Sequence, residues 1–174
     1  MSERVVIVGG GIGGLTLAIA RRRRGIEAGA HEAAPELRAT GAGIWVPPNA
    51  MQVLGRLGLA DAVAAGGARL ERAELRDFRA GRLQTADVGG AARSFGWPTV
   101  AIHRGRLQRV LLDHLPADAV RVGRECREVA LEDAGAVVHF ADGSEERAGV
   151  VVGADGAHSR VREAVAPGAG VRYS

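Results

Sequence analysis

Short aliphatic runs alternate with amphipathic stretches near the start of this 174-residue chain. Val5 to Val8 is a continuous aliphatic run that ends in glycine, which is typical of a strand buried on both faces of a parallel sheet. Gly14 to Arg24 has helical spacing of its apolar residues, a basic last turn and a glycine stop. Ala28 to His31 is predicted to be the second strand of this unit.

The next part of the chain is richer in turn residues. Proline and glycine between Pro35 and Pro48 predict a loop, and a helix capped by Asn49 is predicted to reach Leu57. Leu70 to Phe78 and Arg82 to Val88 are separated by a short glycine-containing turn, which predicts a hairpin.

The remainder is predicted to contain two helices around a group of strands. Helical spacing begins at Arg104 and ends at Leu115, before a proline, and a final helix capped by Ser159 is predicted to reach Val165. The segments between them predict a short antiparallel meander followed by a buried aliphatic strand: Val120–Val122, Glu125–Leu131, Val137–Phe140 and Glu145–Ala148, then Val150–Val152.

Composition and charge exclude several classes of function. The chain is 47% hydrophobic and 25% charged with a net charge of +3, so we expect a globular domain and no nucleic-acid partner. Arg21 to Arg24 is interpreted as a solvated helix end.

Ile12 to Ala20 is too short to cross a bilayer, and no leader is recognised, so we expect no membrane partner. A single cysteine, Cys126, suits a reducing, cytoplasmic location, and the histidines show no metal-ligand spacing.

Glycines between the first strand and the first helix carry the clearest chemical signal. Gly9, Gly11 and Gly14 fit the G-x-G-x-x-G pattern in the required context, where they allow a tight turn, close approach of a pyrophosphate and close helix packing. Glu32 lies eighteen positions after Gly14, where a carboxylate binds ribose hydroxyls and disfavours a 2'-phosphate. The pattern predicts a dinucleotide site and leaves NAD and FAD open.

Three longer segments distinguish FAD from NAD as the expected cofactor. The runs "GAGIWVPPNAMQVLGRLGLADAV", "IHRGRLQRVLL" and "VVGADGAHSRVR" resemble the flavin-dependent aromatic hydroxylases, the single-component FAD monooxygenases that include salicylate and p-hydroxybenzoate hydroxylases. The resemblance extends from about Arg4 to Tyr173. It implies that Gly9, Gly11, Gly14 and Glu32 bind the ADP part of FAD.

The same resemblance implies further cofactor-binding residues. Gly43 lies in the loop that would run beside the flavin, and Arg104 matches an arginine that contacts FAD. Cys126 lies where a strand backbone meets the adenine, and Asp155 belongs to a DG motif associated with FAD and NAD(P)H binding. No catalytic residue can be assigned, and no metal is expected.

The fold implied by the resemblance is an α/β, Rossmann-like FAD-binding domain with a parallel sheet and an antiparallel β-meander, incomplete relative to the family fold. Residues 1–174 would be the N-terminal portion, and the hairpin at about 70–88 would begin a substrate domain whose remainder is absent. The implied reaction hydroxylates a small aromatic substrate with FAD, O2 and NADH or NADPH.

Three interpretations of the chain stay open at this point. It is the FAD-binding portion of a monooxygenase, completed by further sequence or by a partner chain that supplies the missing half. Alternatively, it is a truncated, non-catalytic nucleotide-binding or interaction module. The third alternative, an NAD-dependent oxidoreductase domain, is disfavoured by the downstream motifs.

Overall fold

The computed structural model describes residues 4–37 and 41–169. The strands in these ranges are β1 (Val5–Val8), β2 (Ala28–His31), β3 (Gly43–Val46), β4 (Ala68–Leu70), β5 (Arg72–Asp77), β6 (Gly81–Asp87), β7 (Thr99–His103), β8 (Val120–Arg121), β9 (Cys126–Glu132), β10 (Gly135–Phe140), β11 (Glu145–Ala148) and β12 (Val150–Gly153). The helices are α1 (Ile12–Arg22), α2 (Pro48–Arg56), α3 (Ala60–Gly66), α4 (Val88–Phe95), α5 (Arg104–Leu112) and α6 (Arg160–Val165). The chain forms two compact units, residues 1–38 with 111–174, and residues 39–110.

A parallel sheet in the order β12-β1-β2-β8 forms the centre of the first unit. The side chains of β1 are at most 3% exposed, because helix and strand layers cover both faces of this strand. This confirms the buried strand predicted at Val5–Val8 and the second strand at Ala28–His31. The last predicted strand, β12, is only half-buried, because it forms one edge of the sheet.

Helix α1 covers one face of this sheet. Its buried residues Leu15, Ala18 and Ile19 recur at helical spacing, and Ala18 packs with Ile7 in the core. The helix begins at Ile12, two residues before the predicted start at Gly14.

The meander β9-β10-β11 contributes the other layer of the first unit. Its apolar side chains, among them Val129 and Val138, pack with Val6 and Val8 from the parallel sheet. The predicted assignment of Val120–Val122 to the meander is wrong, because β8 pairs in parallel with β2. An apolar segment this short carries no information about the direction of its partner.

The second unit contains a three-stranded antiparallel sheet, β3-β7-β4, and the separate hairpin β5-β6. The hairpin predicted from Leu70–Phe78 and Arg82–Val88 is confirmed with shorter strands, since Leu70 belongs to β4 and Val88 begins α4. The loop predicted over Pro35–Pro48 is wrong in part, since β3 lies inside it and pairs with β7. Flanking glycine and proline residues mask the strand signal of this apolar segment.

Helices α2 and α5 differ from their predicted bounds. Helix α2 has Pro47 rather than Asn49 at its N-cap, and α5 ends at Leu112, before the predicted Leu115. By contrast, Ser159 caps α6 as predicted, since its hydroxyl accepts a hydrogen bond from the Arg162 amide. No helix in the described part of the chain combines the length and the apolar character needed to cross a bilayer.

Candidate functional site

A cleft of about 400 Å³ lies in the first unit, where the carboxyl ends of β1, β2 and β12 meet. This edge of a parallel sheet is where doubly wound folds bind ligands. Five of the predicted site residues line the cleft together: Gly9, Gly11, Glu32, Cys126 and Asp155. The structure therefore brings together residues that are separated by up to about 150 positions in the sequence.

Gly9 makes the turn out of β1. Its backbone has φ +112°, and its amide donates a 2.7 Å hydrogen bond to the carbonyl of His31. A Cβ at Gly9 would overlap the Ala154 carbonyl, and a Cβ at Gly14 would overlap the carbonyl of Gly9. These two glycines are required for packing of the turn, the helix and the strand ends, as the motif predicts.

Gly11 has a different reason to lack a side chain. A Cβ at this position would meet no atom within 4 Å, so the space in front of the backbone is open and belongs to the cleft. Gly11 is also the N-cap of α1, and no side chain caps this helix. Its free amides and the positive end of its dipole can therefore receive an anionic group such as a pyrophosphate.

The carboxylate of Glu32 is held in place by backbone amides. Oε2 accepts a 2.8 Å hydrogen bond from the Gly10 amide, and Oε1 accepts a 2.9 Å hydrogen bond from the Ala34 amide. Each carboxylate oxygen keeps a further lone pair that can accept a hydrogen bond from a hydroxyl group. A pair of ribose hydroxyls fits this acceptor arrangement.

Asp155 follows β12 and faces the cleft from the opposite side of β1. Its Oδ2 accepts a 2.7 Å hydrogen bond from the Arg160 amide at the start of α6. Its Oδ1 is buried and has no hydrogen-bond partner among the described residues. A buried carboxylate oxygen of this kind is suited to a donor group on a bound ligand.

Cys126 contributes a wall of the cleft through an inert side chain. Burial, with the nearby Asp155 carboxylate, raises the pKa of the Cys126 thiol to about 11. The thiol packs with Val6 and Phe140 in the core. A contact between this residue and a ligand would therefore use its backbone.

Sequence reasoning missed an ionic cluster beside the cleft. His31, which is 1% exposed, lines the cleft and has its Nε2 3.1 Å from Oε2 of Glu146, a carboxylate that also pairs with Arg4 and Arg121. Burial lowers the pKa of His31, the Glu146 carboxylate opposes that shift, and Arg124, Arg121 and Arg4 reinforce it. A histidine at the end of a predicted buried strand is a sequence signal that could have indicated this cluster.

Gly43 and Arg104 belong to the second unit. Gly43 begins β3 and pairs with His103, and the amide of the half-buried Arg104 donates a 3.1 Å hydrogen bond to the Ala42 carbonyl. Gly41 packs against the Arg104 side chain, where an added Cβ would lie 3.2 Å from its carbon atoms. The contribution of Gly43 and Arg104 to cofactor binding stays a prediction.

The residues of the cleft fit the ADP portion of FAD. The open backbone at Gly11 can receive an anion. The restrained Glu32 carboxylate can accept hydrogen bonds from a diol. Oδ1 of Asp155, which has no partner among the described residues, can accept one more. No group of three or more His, Cys, Asp or Glu side chains within the described ranges is arranged to hold a metal ion.

Comparison with known proteins agrees with this geometry. The family model described as FAD binding domain matches residues 2–170. The chain is 42% identical over 164 residues to 3-amino-4-hydroxybenzoate 2-monooxygenase of Streptomyces cremeus, covering 93% of this chain and 42% of that protein. It is 36% identical to 6-hydroxynicotinate 3-monooxygenase of Pseudomonas fluorescens over 166 residues, or 93% of this chain and 43% of that protein.

A solved structure gives the same result for the fold. The crystal structure of Klebsiella pneumoniae HpxO complexed with FAD and uric acid superposes with a TM-score of 0.84 and 32% identity, covering 92% of this chain and 41% of that one. The chain therefore spans less than half the length of these relatives.

Proposed function

The chain belongs to the FAD-binding-domain family of flavin-dependent aromatic monooxygenases, and from that premise we propose that it forms the FAD-binding portion of an enzyme that hydroxylates an aromatic substrate. NADH or NADPH would be the electron donor and O2 the source of the transferred oxygen atom. The hydroxylation, its substrates and its electron donor are proposed for the whole protein, because the chain spans only about 42% of the length of its relatives.

The arrangement of Gly11, Glu32 and Asp155 around one cleft carries this proposal. In it, the amides at the start of α1 bind the pyrophosphate, and Glu32 accepts hydrogen bonds from the adenosine ribose. Asp155 offers its free oxygen to the dinucleotide from the opposite side of the cleft. When bound, the flavin supplies electron transfer from the nicotinamide and activation of oxygen. This chain's residues bind and orient the cofactor.

The substrate is proposed by chemical class. Relatives are named for hydroxybenzoate and hydroxynicotinate substrates, and one relative structure contains uric acid. We therefore propose a planar aromatic or heteroaromatic ring bearing oxygen substituents.

The β5-β6 hairpin is proposed to begin the domain that covers the substrate. Leu75, Phe78 and Leu83 on this hairpin are at least 60% exposed, which supports a covering layer from elsewhere in the enzyme or from a partner chain. A cytoplasmic location is proposed as well, supported by the single buried, reduced cysteine.

Titration of FAD with the purified 174-residue chain tests the proposal. Binding would quench flavin fluorescence, and we expect a Kd in the micromolar range. Gly11→Asp should abolish binding, because it places a carboxylate in front of the anion site. Gly149→Asp is the matched control, since Gly149 also has open space at its Cβ position but does not line the cleft.

Two results would overturn the proposal in different directions. A folded chain that does not bind FAD would favour the truncated, non-catalytic module. Tighter binding of NAD than of FAD would favour the NAD-dependent oxidoreductase domain.

A further inference from the structure

The wall of the cleft contains an arginine that the cofactor-binding arrangement above does not use. Arg124 lies between β8 and β9 and lines the cleft. Its amide donates a 2.8 Å hydrogen bond to the backbone carbonyl of Glu32. Arg124 is therefore attached to the strand end that carries the proposed ribose-binding carboxylate.

The guanidinium of Arg124 is held in one orientation. Its Cζ lies 4.0 Å from the ring centroid of Phe140, and Nη1 donates a 2.7 Å hydrogen bond to Oδ2 of Asp142 and a second hydrogen bond to the hydroxyl of Ser144. Hydrogen bonds from Ser144, with a smaller contribution from Arg124, lower the pKa of Asp142 to about 2. Asp142 is thus ionised at neutral pH and keeps the side chain of Arg124 restrained.

The Phe140 ring packs against one flat face of this guanidinium. The Phe140 ring is buried in the core and does not line the cleft, whereas Arg124 does. Arg124 is thus the member of this pair that lines the cleft, and its side chain is 18% exposed. A planar cation backed by an aromatic ring is a suitable surface for stacking a nucleobase.

The position of Arg124 along the sheet agrees with contact to a base. Glu32 follows β2, and Arg124 follows β8, the strand next to β2 on the side away from Asp155. A base attached to a ribose bound at Glu32 and directed toward β8 would lie beside Arg124. Ala33, which also lines the cleft here, carries only a methyl group.

We propose that Arg124 is a nucleotide-binding residue whose guanidinium stacks against the adenine ring of the bound dinucleotide. This inference rests on the proposed function of the cleft as the FAD site. The Asp142–Ser144 turn would act as the positioning element for that stacking.

The test compares the affinities of ADP and UDP by isothermal titration calorimetry with the 174-residue chain. Both ligands carry a ribose and a pyrophosphate, and they differ in the stacking area of the base. Arg124→Ala should weaken ADP binding by about 5- to 100-fold, within the range for loss of one base-stacking contact. UDP binding should weaken less, so the preference for ADP should disappear.

Two further variants separate stacking from charge and from folding. Arg124→Lys keeps the charge and most of the stem but lacks the flat group, so we expect the ADP preference to fall here as well. Arg127→Ala is the matched control, because Arg127 is exposed on β9 and does not line the cleft. It should bind both nucleotides as the parent chain does.

An equal loss of ADP and UDP affinity in Arg124→Ala and Arg124→Lys would overturn the stacking inference and assign Arg124 a structural or charge role. Unchanged ADP binding in both variants would overturn it as well. Neither result affects the proposed FAD function, which fails separately if the folded parent chain binds neither ADP nor FAD.

Discussion

The amide of Gly10 donates a 2.8 Å hydrogen bond to Oε2 of Glu32, which joins the glycine turn after β1 to the end of β2. The second oxygen of the same carboxylate is held by the Ala34 amide. The acceptor for ribose is thus oriented by backbone groups on two neighbouring strand ends. Because little ordering of this side chain remains for the ligand to impose, the carboxylate is preorganised for binding.

Replacing Glu32 by Gln should weaken both the turn and the nucleotide site. The amide group of Gln can accept only one of the two backbone hydrogen bonds, so one donor loses its partner, a change that costs about 1–3 kcal/mol. We expect a lower midpoint of urea unfolding and at least tenfold weaker FAD binding. The loss of charge should also narrow the preference for ADP over adenosine 2',5'-bisphosphate. An unaltered preference would argue against contact between Glu32 and the ribose.

The glycines of the turn should separate into two classes on substitution by alanine. Gly9→Ala should prevent stable folding, because it combines a backbone φ of +112° with overlap of the Ala154 carbonyl. Gly11→Ala should leave the thermal midpoint near that of the parent, since its Cβ meets no atom, but should reduce FAD affinity by occupying the cleft. Circular dichroism and FAD titration measure the two effects. A stable Gly9→Ala variant would contradict the packing argument.

The first βαβ unit and the dinucleotide motif could be predicted because each depends on local patterns. The aliphatic run Val5–Val8, the glycine spacing and the carboxylate at Glu32 all lie within a short stretch of sequence. Ser159 as a helix cap was predictable for the same reason. Local propensity and tertiary structure agree at these positions.

Other features depend on contacts that a single sequence does not display. Strand β3 is recognisable only through its partner β7, and β8 only through β2. The stack of Arg124 on Phe140 and the pairing of His31 with Glu146 join residues on separate segments of the chain. Such pairings are decided by the topology, for which spacing along the chain gives no signal.

Stability should fall as the pH decreases through the ordinary pKa of histidine. Burial lowers the pKa of His31 below its ordinary value of 6.5, so the unfolded chain binds this proton more tightly than the folded chain. Protonation of this histidine in the unfolded chain therefore costs no stability above about pH 6.5. Below that pH the free energy of unfolding decreases by at most about 1.4 kcal/mol per pH unit. Urea unfolding at pH 7.5 and 5.5 measures this slope. His31→Gln should reduce it, and an unchanged slope in that variant would assign the effect to other groups.

Cys126 should react slowly with iodoacetamide in the folded chain. At pH 8 a thiol with a pKa of about 11 is roughly 100-fold less ionised than one with the ordinary pKa of 9.0, and the thiolate is the reactive form. Burial of the side chain slows the reaction further. Labelling followed by mass spectrometry, in buffer and in urea, gives the ratio of rates. Similar rates in the two conditions would show that the cleft wall around Cys126 is not formed.

Two substitutions at Asp155 should separate its charge from its hydrogen bond. Asp155→Asn keeps an oxygen that can accept from the Arg160 amide, so this hydrogen bond at the start of α6 should remain and the thermal midpoint should change little. The same variant removes the carboxylate that helps to raise the pKa of Cys126, so labelling of the thiol should become faster. Asp155→Ala also removes the acceptor of the Arg160 amide, while Ser159 still caps the helix, and should destabilise the fold by about 1 kcal/mol.

FAD titration of both variants then tests the role of Oδ1 of Asp155. If Oδ1 accepts a hydrogen bond from the dinucleotide, Asp155→Asn should weaken FAD binding although the stability of the fold is preserved. The amide nitrogen of Asn then occupies the position of Oδ1 and cannot accept a hydrogen bond. Equal FAD affinity in the parent chain and Asp155→Asn, together with weaker binding only in Asp155→Ala, would instead mean that Asp155 acts by holding the start of α6. Labelling of Cys126 at the same rate in Asp155→Asn and the parent would show that burial alone sets the pKa of the thiol.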